Sequence, residues 1–93
     1  MLFMHIHTHS CEQCMLDKPQ EAGKRASAMQ EEAQKAGVKL LGSYVAAHEH
    51  TIYSLIEADD IQKLEKVLVP MTNSGNSRLI PVVALQQATA GTR

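Results

Sequence analysis

Residues 2–14 of this 93-residue chain read Leu-Phe-Met-His-Ile-His-Thr-His-Ser-Cys-Glu-Gln-Cys. Through residue 9 the apolar and polar side chains alternate, which predicts a β-strand with two different faces. One face carries all the histidines of the strand, and it consists of Phe3, His5, His7 and His9. The opposite face is the one expected to carry the helices, and it consists of Leu2, Met4, Ile6 and Thr8.

After this strand, residues 10–16 are predicted to form a connection to a first helix. Asp17 is a candidate N-cap for that helix, and Pro19 is tolerated in its first turn. Gly37 is expected to end the helix just past its last turn. Between these ends, small and apolar side chains recur at spacings of four and three, which predicts one buried stripe: Ala22, Ala26, Met29, Ala33 and Ala36.

The next elements follow in quick succession. A second strand is predicted over residues 38–48 and a third over residues 51–58, with His48-Glu49-His50 as the tight connection between them. Asp59 or Asp60 is expected to cap a second helix. The buried stripe of that helix is predicted to consist of Ile61, Leu64, Leu68 and Met71.

Pro70 interrupts this stripe, so the second helix is expected to kink or end there. A loop over residues 73–77 and a last strand over residues 78–85 complete one domain over residues 1–86. Residues 87–93 are predicted to be a polar C-terminal tail. The order β-α-β-β-α-β predicts the ferredoxin-like α+β fold, with a four-stranded antiparallel sheet of order 4-1-3-2 and two helices on one face.

The second face of this sheet would be bare in a single copy of the chain. Strands 2 and 4 are nevertheless apolar on both sides, as Leu79, Val83 and Leu85 alternate in strand 4 with Ile80, Val82 and Ala84. Strands that are apolar on both faces are usually covered on both. We therefore expect a homodimer whose two sheets pack face to face.

The histidines and cysteines are expected to meet at one edge of the sheet, where strand 1 ends and the connection between strands 2 and 3 turns. Imidazole and thiolate are ligands that borderline and soft transition metals prefer. The sequence therefore predicts a site for Zn²⁺, Cu⁺ or Ni²⁺, with Glu12, Asp17 or Glu49 available to orient a ligand. The candidate ligands are His5, His7, His9, Cys11, Cys14, His48 and His50. The alternative is that the histidines line a polar interior or a wet rim and bind no ion.

The cysteine pair leaves three interpretations open. Cys11-x-x-Cys14 is a two-thiolate chelate, a redox dithiol, or a spacing without chemical meaning. The thioredoxin-like use of such a pair belongs to a different element order. A position near a helix start would nevertheless lower the pKa of the thiols and make them reactive.

Composition excludes several classes of partner. The net charge is −1, aromatic residues make up 3% of the chain and Trp is absent, so neither a basic surface nor base stacking supports nucleic-acid binding. No apolar run approaches the roughly 18–20 residues of a membrane span. We expect a cytoplasmic protein whose cysteines are reduced.

The element order, the length and the two-sided strands resemble the dimeric α+β-barrel superfamily. It includes GYD-type domains, nickel-binding ferredoxin-like proteins, muconolactone isomerase-like proteins and cofactor-independent monooxygenases. The His-x-His-Thr-His-Ser start and the segment from Glu49 to Asp60 are also similar to small bacterial and archaeal members without an assigned activity. This resemblance implies the fold and the dimer.

A second resemblance is local. His9-x-Cys11-x-x-Cys14 falls between strand 1 and helix 1, where the heavy-metal-associated domains of copper chaperones carry Met-x-Cys-x-x-Cys. Here His9 stands in the place of that Met, and no Gly precedes it. The resemblance implies a thiolate chelate in this loop.

Together these features predict a small metal-binding protein that serves metal handling or sensing. One alternative is a dimeric α+β-barrel enzyme, monooxygenase-like or isomerase-like, whose pocket is lined by the histidine face. A second alternative is a thiol-redox accessory protein.

Overall fold

The computed structural model describes residues 1–10, 14, 18–69 and 75–90 of the chain. Its elements are, in order, β1 (Leu2–His9), α1 (Pro19–Ala36), β2 (Lys39–Ala46), β3 (Thr51–Glu57), α2 (Ile61–Leu68), β4 (Gly75–Val82) and α3 (Leu85–Ala90). A single turn of 3₁₀ helix, Ala47–Glu49, joins β2 to β3. The predicted βαββαβ order is confirmed, and a short helix follows it.

The four strands form one sheet of order β2-β3-β1-β4, in which all neighbours are antiparallel. Counted from the other edge this is the predicted order 4-1-3-2, so the ferredoxin-like α+β fold is confirmed. β1 lies inside the sheet and pairs on both sides. His7, for example, lies opposite Ile52 of β3 and Ser77 of β4. The end of β1 is therefore flanked by the start of β3 and the start of β4.

The hydrophobic core lies between the sheet and the helices. Phe3 of β1 shares it with residues of both α1 and α2, and the full set is Phe3, Ala33, Val38, Ile56, Ala58, Leu64, Val67 and Leu68. Because Phe3 and the histidines occupy alternate positions of one strand, the histidine face of β1 is the face that the helices cover.

The expectation that the helices pack on the face of Leu2, Met4 and Ile6 is therefore wrong. Phe3 lies opposite Ile56 across the sheet, and each of these bulky side chains is only 1% exposed. This pair gives the histidine face a strong hydrophobic anchor at its N-terminal end. Both faces of β1 are apolar there, so alternation alone does not reveal which one is covered. Leu2, Met4 and Ile6 lie half-buried on the opposite face.

Two helix ends follow the capping signals of the sequence, and the start of α1 does not. Gly37 ends α1 as predicted. It adopts φ 76° and donates its N–H to the carbonyls of Ala33 and Gln34. Asp60 caps α2, since its Oδ1 accepts a hydrogen bond of 2.9 Å from the N–H of Gln62. The N-cap of α1 is Lys18, without a side-chain hydrogen bond, and Asp17 lies outside the described residues. So do Pro70 and Met71, whose predicted roles stay predictions.

Fewer residues of each predicted helical stripe are buried than the sequence pattern predicts. Ala33 is the buried residue of α1, and Ala26 is exposed. In α2 the buried residues are Leu64, Val67 and Leu68, and Ile61 is 47% exposed.

Several predicted boundaries are wrong. β2 ends at Ala46, because residues 47–49 turn into the 3₁₀ helix. β4 begins at Gly75, inside the predicted loop, since β1 extends to His9 and offers a pairing partner there. Residues 85–90 form helix α3 where an end of strand and a tail were expected, in keeping with the helix-favouring Leu, Gln and Ala residues there.

β1 and β4 approach each other very closely at Gly75. Gly75 lies opposite His9, and a Cβ at position 75 would overlap the carbonyl oxygen of Thr8 and lie 2.9 Å from the Cα of His9. Only glycine fits this approach without a shift of one strand.

We expect Gly75→Ala to lower the free energy of unfolding by about 1–3 kcal/mol, because the added methyl group must push β4 away from β1. The matched control is Gly23→Ala. Gly23 lies within α1, where an alanine methyl group would meet no described atom of another element within 4 Å, so alanine should raise stability there by about 0.5–1 kcal/mol. Urea unfolding measures both, and equal stabilities would contradict the close approach.

Candidate metal centre

Three potential metal ligands converge at the end of β1. They are His9, Cys14 and His50, all half-buried, and one ligand atom of each lies within 4.8 Å of the others. Ligand atoms bound to one zinc-sized ion lie about 3.3–3.8 Å apart, given bonds of about 2.0–2.3 Å. Small side-chain rotations would therefore bring the two imidazoles and the thiol onto one ion.

The backbone holds the two histidines of this group together. The N–H of His9 donates a hydrogen bond of 3.0 Å to the carbonyl of His50. His50 itself adopts φ 51° and ψ 42°, and its N–H donates to the carbonyl of Ala47 at 3.2 Å. This left-handed conformation is uncommon outside glycine. It reverses the chain after the 3₁₀ turn and brings the His50 ring to the His9 ring, with centroids 5.6 Å apart.

The histidines form a continuous series from this group into the protein interior. His9 is followed inward by His7, with ring centroids 5.8 Å apart, and His7 by His5, at 6.3 Å. We refer to His5, His7, His9 and His50 as the imidazole row. His5 is 1% exposed and His7 is 3% exposed, so the inner half of the row is shielded from solvent.

The nitrogen atoms of the row differ in their hydrogen bonding. A hydrogen bond of 3.3 Å joins the Nδ1 of His7 to the Oγ of Ser77 on β4. Among the described residues, neither ring nitrogen of His5 has a hydrogen-bond partner, and neither does the buried Nε2 of His9. A buried polar atom without a partner costs about 1–3 kcal/mol. Within the part of the chain that the structure describes, His5 and His9 therefore have unsatisfied nitrogen atoms.

Burial and mutual repulsion both favour neutral rings. Desolvation lowers the pKa of His5, and the neighbouring His7 lowers it further. The pKa of His7 is lowered by burial and then by His9, and the pKa of His9 by burial and then by His50. Neutral imidazole is the form that binds metal ions, and the lowered pKa values of His5, His7 and His9 favour that form.

The structure does not bring all the predicted ligands together. His48 is exposed in the 3₁₀ turn and is not part of the three-residue group. Cys11 lies outside the described residues, as do the candidate orienting residues Glu12 and Asp17. The carboxylate of Glu49 accepts a hydrogen bond of 3.4 Å from the hydroxyl of Tyr53.

Ser77 is a hydrogen-bond partner of His7 that the sequence pattern does not reveal. The sequence pattern predicts a loop at this residue, whereas the structure places it in β4 directly opposite His7. A last strand that begins at Gly75 pairs Ser77 with His7. A prediction with that boundary would have identified the contact, since a serine opposite a buried histidine is a ready hydrogen-bond partner.

Fold and site together describe a small ferredoxin-like α+β protein with a histidine and cysteine cluster at the C-terminal end of its central strand. Residues 1–92 match the family described as Domain of unknown function (DUF3303), and the chain belongs to that family. No curated protein matches the chain. Within the part of the chain that the structure describes, no helix is both long and apolar enough to cross a membrane.

The lowered pKa values predict that acid destabilises the metal-free protein. Below the ordinary histidine pKa of 6.5, the histidines of the unfolded chain are protonated, whereas His5, His7 and His9 of the folded chain bind protons only at lower pH. The free energy of unfolding should therefore fall as the pH drops from 7.5 towards 5.5, by about 1.4 kcal/mol for each unit of lowered pKa. Urea unfolding in the presence of a chelator measures this. His5→Leu should flatten the dependence, and an unchanged slope in that variant would contradict the assignment.

The left-handed His50 predicts an order of stability between two variants that both lose the imidazole. His50→Gly should be more stable than His50→Ala by about 1 kcal/mol, because glycine adopts φ 51° without the clash of a Cβ. Thermal unfolding of the metal-free variants gives the comparison. A more stable alanine variant would show that position 50 does not hold this conformation in solution.

Proposed function

We propose that the protein binds one transition-metal ion through His9, Cys14 and His50. The observation that carries this proposal is the convergence of two imidazoles and a thiol, with one ligand atom of each within 4.8 Å of the others. The Nε2 of His9, which has no hydrogen-bond partner among the described residues, adds to it, because a bound ion would supply one.

The donor set favours Zn²⁺, Cu⁺ or Ni²⁺ over Mg²⁺ and Ca²⁺, since nitrogen and sulfur are softer ligands than oxygen. Three protein ligands leave a fourth position of a tetrahedral ion for water or for a ligand from another molecule. Such an ion can be passed on by ligand exchange, so we assign the site to metal handling or sensing. A reducing compartment such as the cytoplasm would keep the Cys14 thiol able to bind.

We further propose that the protein acts as a homodimer of the α+β-barrel type, related to GYD-type and nickel-binding ferredoxin-like proteins. The sheet face away from the helices supports this. Its register aligns apolar side chains from all four strands: Leu2, Met4, Ile6, Tyr44, Tyr53, Leu55, Ile80 and Val82. Tyr44 is 71% exposed in one copy. A second sheet packed on this face would remove these side chains from water.

The alternative of a barrel enzyme draws less support from the site. Its pocket would be lined by the histidine face, yet His5 and His7 are almost completely buried between the sheet and the helices. The thiol-redox alternative rests on Cys11, which lies outside the described residues.

The test is the metal content of untagged protein, measured by elemental analysis as isolated and after reconstitution with Zn²⁺, Ni²⁺ or Cu⁺ under reducing conditions. We expect one equivalent of Zn²⁺ or Ni²⁺ per chain. The variants Cys14→Ser and His9→Ala/His50→Ala should lose it or bind at least tenfold more weakly, since each removes ligands from a three-ligand set.

His48→Ala is the matched control, because it removes an exposed histidine outside the group and should keep the full metal content. Cys11→Ser shows in the same assay whether the second thiol adds a ligand. Half an equivalent, in samples whose molar mass is that of a dimer, would indicate a site shared between two chains. No metal in the wild type, or full metal content in both ligand variants, would overturn the proposal.

A further inference from the structure

The group of His9, Cys14 and His50 leaves the inner half of the imidazole row without a role. His5 and His7 are more deeply buried than any residue of that group, and both nitrogens of His5 lack a hydrogen-bond partner among the described residues. The hydroxyl of Ser54, directly opposite His5 in β3, forms its hydrogen bond of 3.0 Å with Ser43. Among the described residues, the hydroxyl opposite His5 therefore bonds to another serine and not to His5.

His5 and His7 lie side by side on one face of β1. Their rings are stacked with centroids 6.3 Å apart and ring planes 21° apart, which is close to the roughly 6.6–7 Å between alternate residues of a strand. Rotation of the two side chains would bring one nitrogen of each ring to an ion between them, at about 2 Å from each. The pairs nearer the surface lie at 5.8 Å and 5.6 Å.

We propose that His5 and His7 form a second, inner metal site that binds one Cu⁺ ion between the two imidazoles. The ion reaches this site from the outer group of His9, Cys14 and His50, and this loading step rests on the function proposed above. Coordination by His5 and His7 themselves does not depend on it.

The hydrogen bond to Ser77 fits this role for His7. Ligating histidines commonly engage their second nitrogen in a hydrogen bond that orients the ring. The hydrogen bond of 3.3 Å between Nδ1 of His7 and Ser77 orients the His7 ring in this way.

The charge of the surroundings selects a monovalent ion. The buried residues that the structure describes include no Asp or Glu, so an ion beside His5 keeps its full charge in a medium of low dielectric constant. The desolvation energy of an ion rises with the square of its charge, and a divalent ion would be penalised about four times as heavily. Cu⁺ is monovalent, binds imidazole and accepts two collinear ligands.

Transfer along the row needs no change in oxidation state. His7 lies between His9 and His5, so an ion can exchange one nitrogen ligand at a time while the next imidazole approaches. The ion remains Cu⁺ throughout, and only coordination bonds form and break.

The experiment is an anaerobic titration with Cu⁺, followed by the imidazole resonances of protein labelled with ¹⁵N at histidine. We expect the wild type to bind two equivalents per chain. The first should shift the resonances of His9 and His50, and the second those of His5 and His7. His5→Leu should lose one of the two equivalents, and His48→Ala should keep both.

Zn²⁺ serves as the second probe and separates the two proposals. We expect one equivalent of Zn²⁺ in both the wild type and His5→Leu, because the inner site rejects a divalent ion. Should Zn²⁺ bind at the outer group while Cu⁺ leaves the His5 and His7 resonances unmoved, the inner site is overturned and the outer one stands. Shifts of His5 and His7 without binding at the outer group would support the inner site alone and overturn the loading route.

Folding of the variant is controlled in two ways. Metal-free His5→Leu should unfold at a higher temperature than the wild type, because leucine replaces a buried imidazole without hydrogen bonds. The resonances of His5 and His7 in the wild type report on the inner site without any substitution. Two equivalents of Cu⁺ in folded His5→Leu would overturn the proposal.

Discussion

The structure depends on the pairing of β1 with strands on both of its sides. β1 lies between β3 and β4. Because side chains alternate along a strand, the face of β1 that carries Phe3 also carries its three histidines, and that face is the one closed by the helices. The N-terminal half of the strand anchors the hydrophobic core through Phe3, opposite Ile56. The C-terminal half runs into the metal-ligand group, so core and candidate site are two ends of one surface.

The sequence revealed those features that local pattern determines. Alternation predicted β1 at its observed bounds, and Gly37 and Asp60 marked helix ends, because each signal acts within a few residues. The covered face of β1 depends on Phe3 meeting side chains from distant elements. Likewise, His50 rather than His48 joins the site because a left-handed backbone at φ 51° aims it, and the start of β4 at Gly75 depends on pairing with β1.

The hydrophobic core stabilises the fold, whereas the buried imidazoles beside it lower the free energy of unfolding. A fully buried imidazole without a hydrogen bond lowers stability by about 1–3 kcal/mol. In a chain of 93 residues this is a sizeable fraction of a typical total of about 5–15 kcal/mol. Ser77 relieves this for His7, but within the described residues nothing does so for His5. The fold therefore raises the question of what binds the ring nitrogens of His5, which have no hydrogen-bond partner among the described residues.

A metal ion bound to the imidazole row would provide such a partner, and its binding would be thermodynamically coupled to folding. The unfolded chain holds its histidines apart, so binding free energy at a site formed only in the folded state adds directly to folding free energy. The hydrogen bond from His9 to the His50 carbonyl and the close approach at Gly75 hold the backbones of His9 and His50 in place. Part of the ordering entropy of a metal site at that end of the sheet would therefore already be paid by folding, and such preorganisation would favour tight binding of an ion at the outer group.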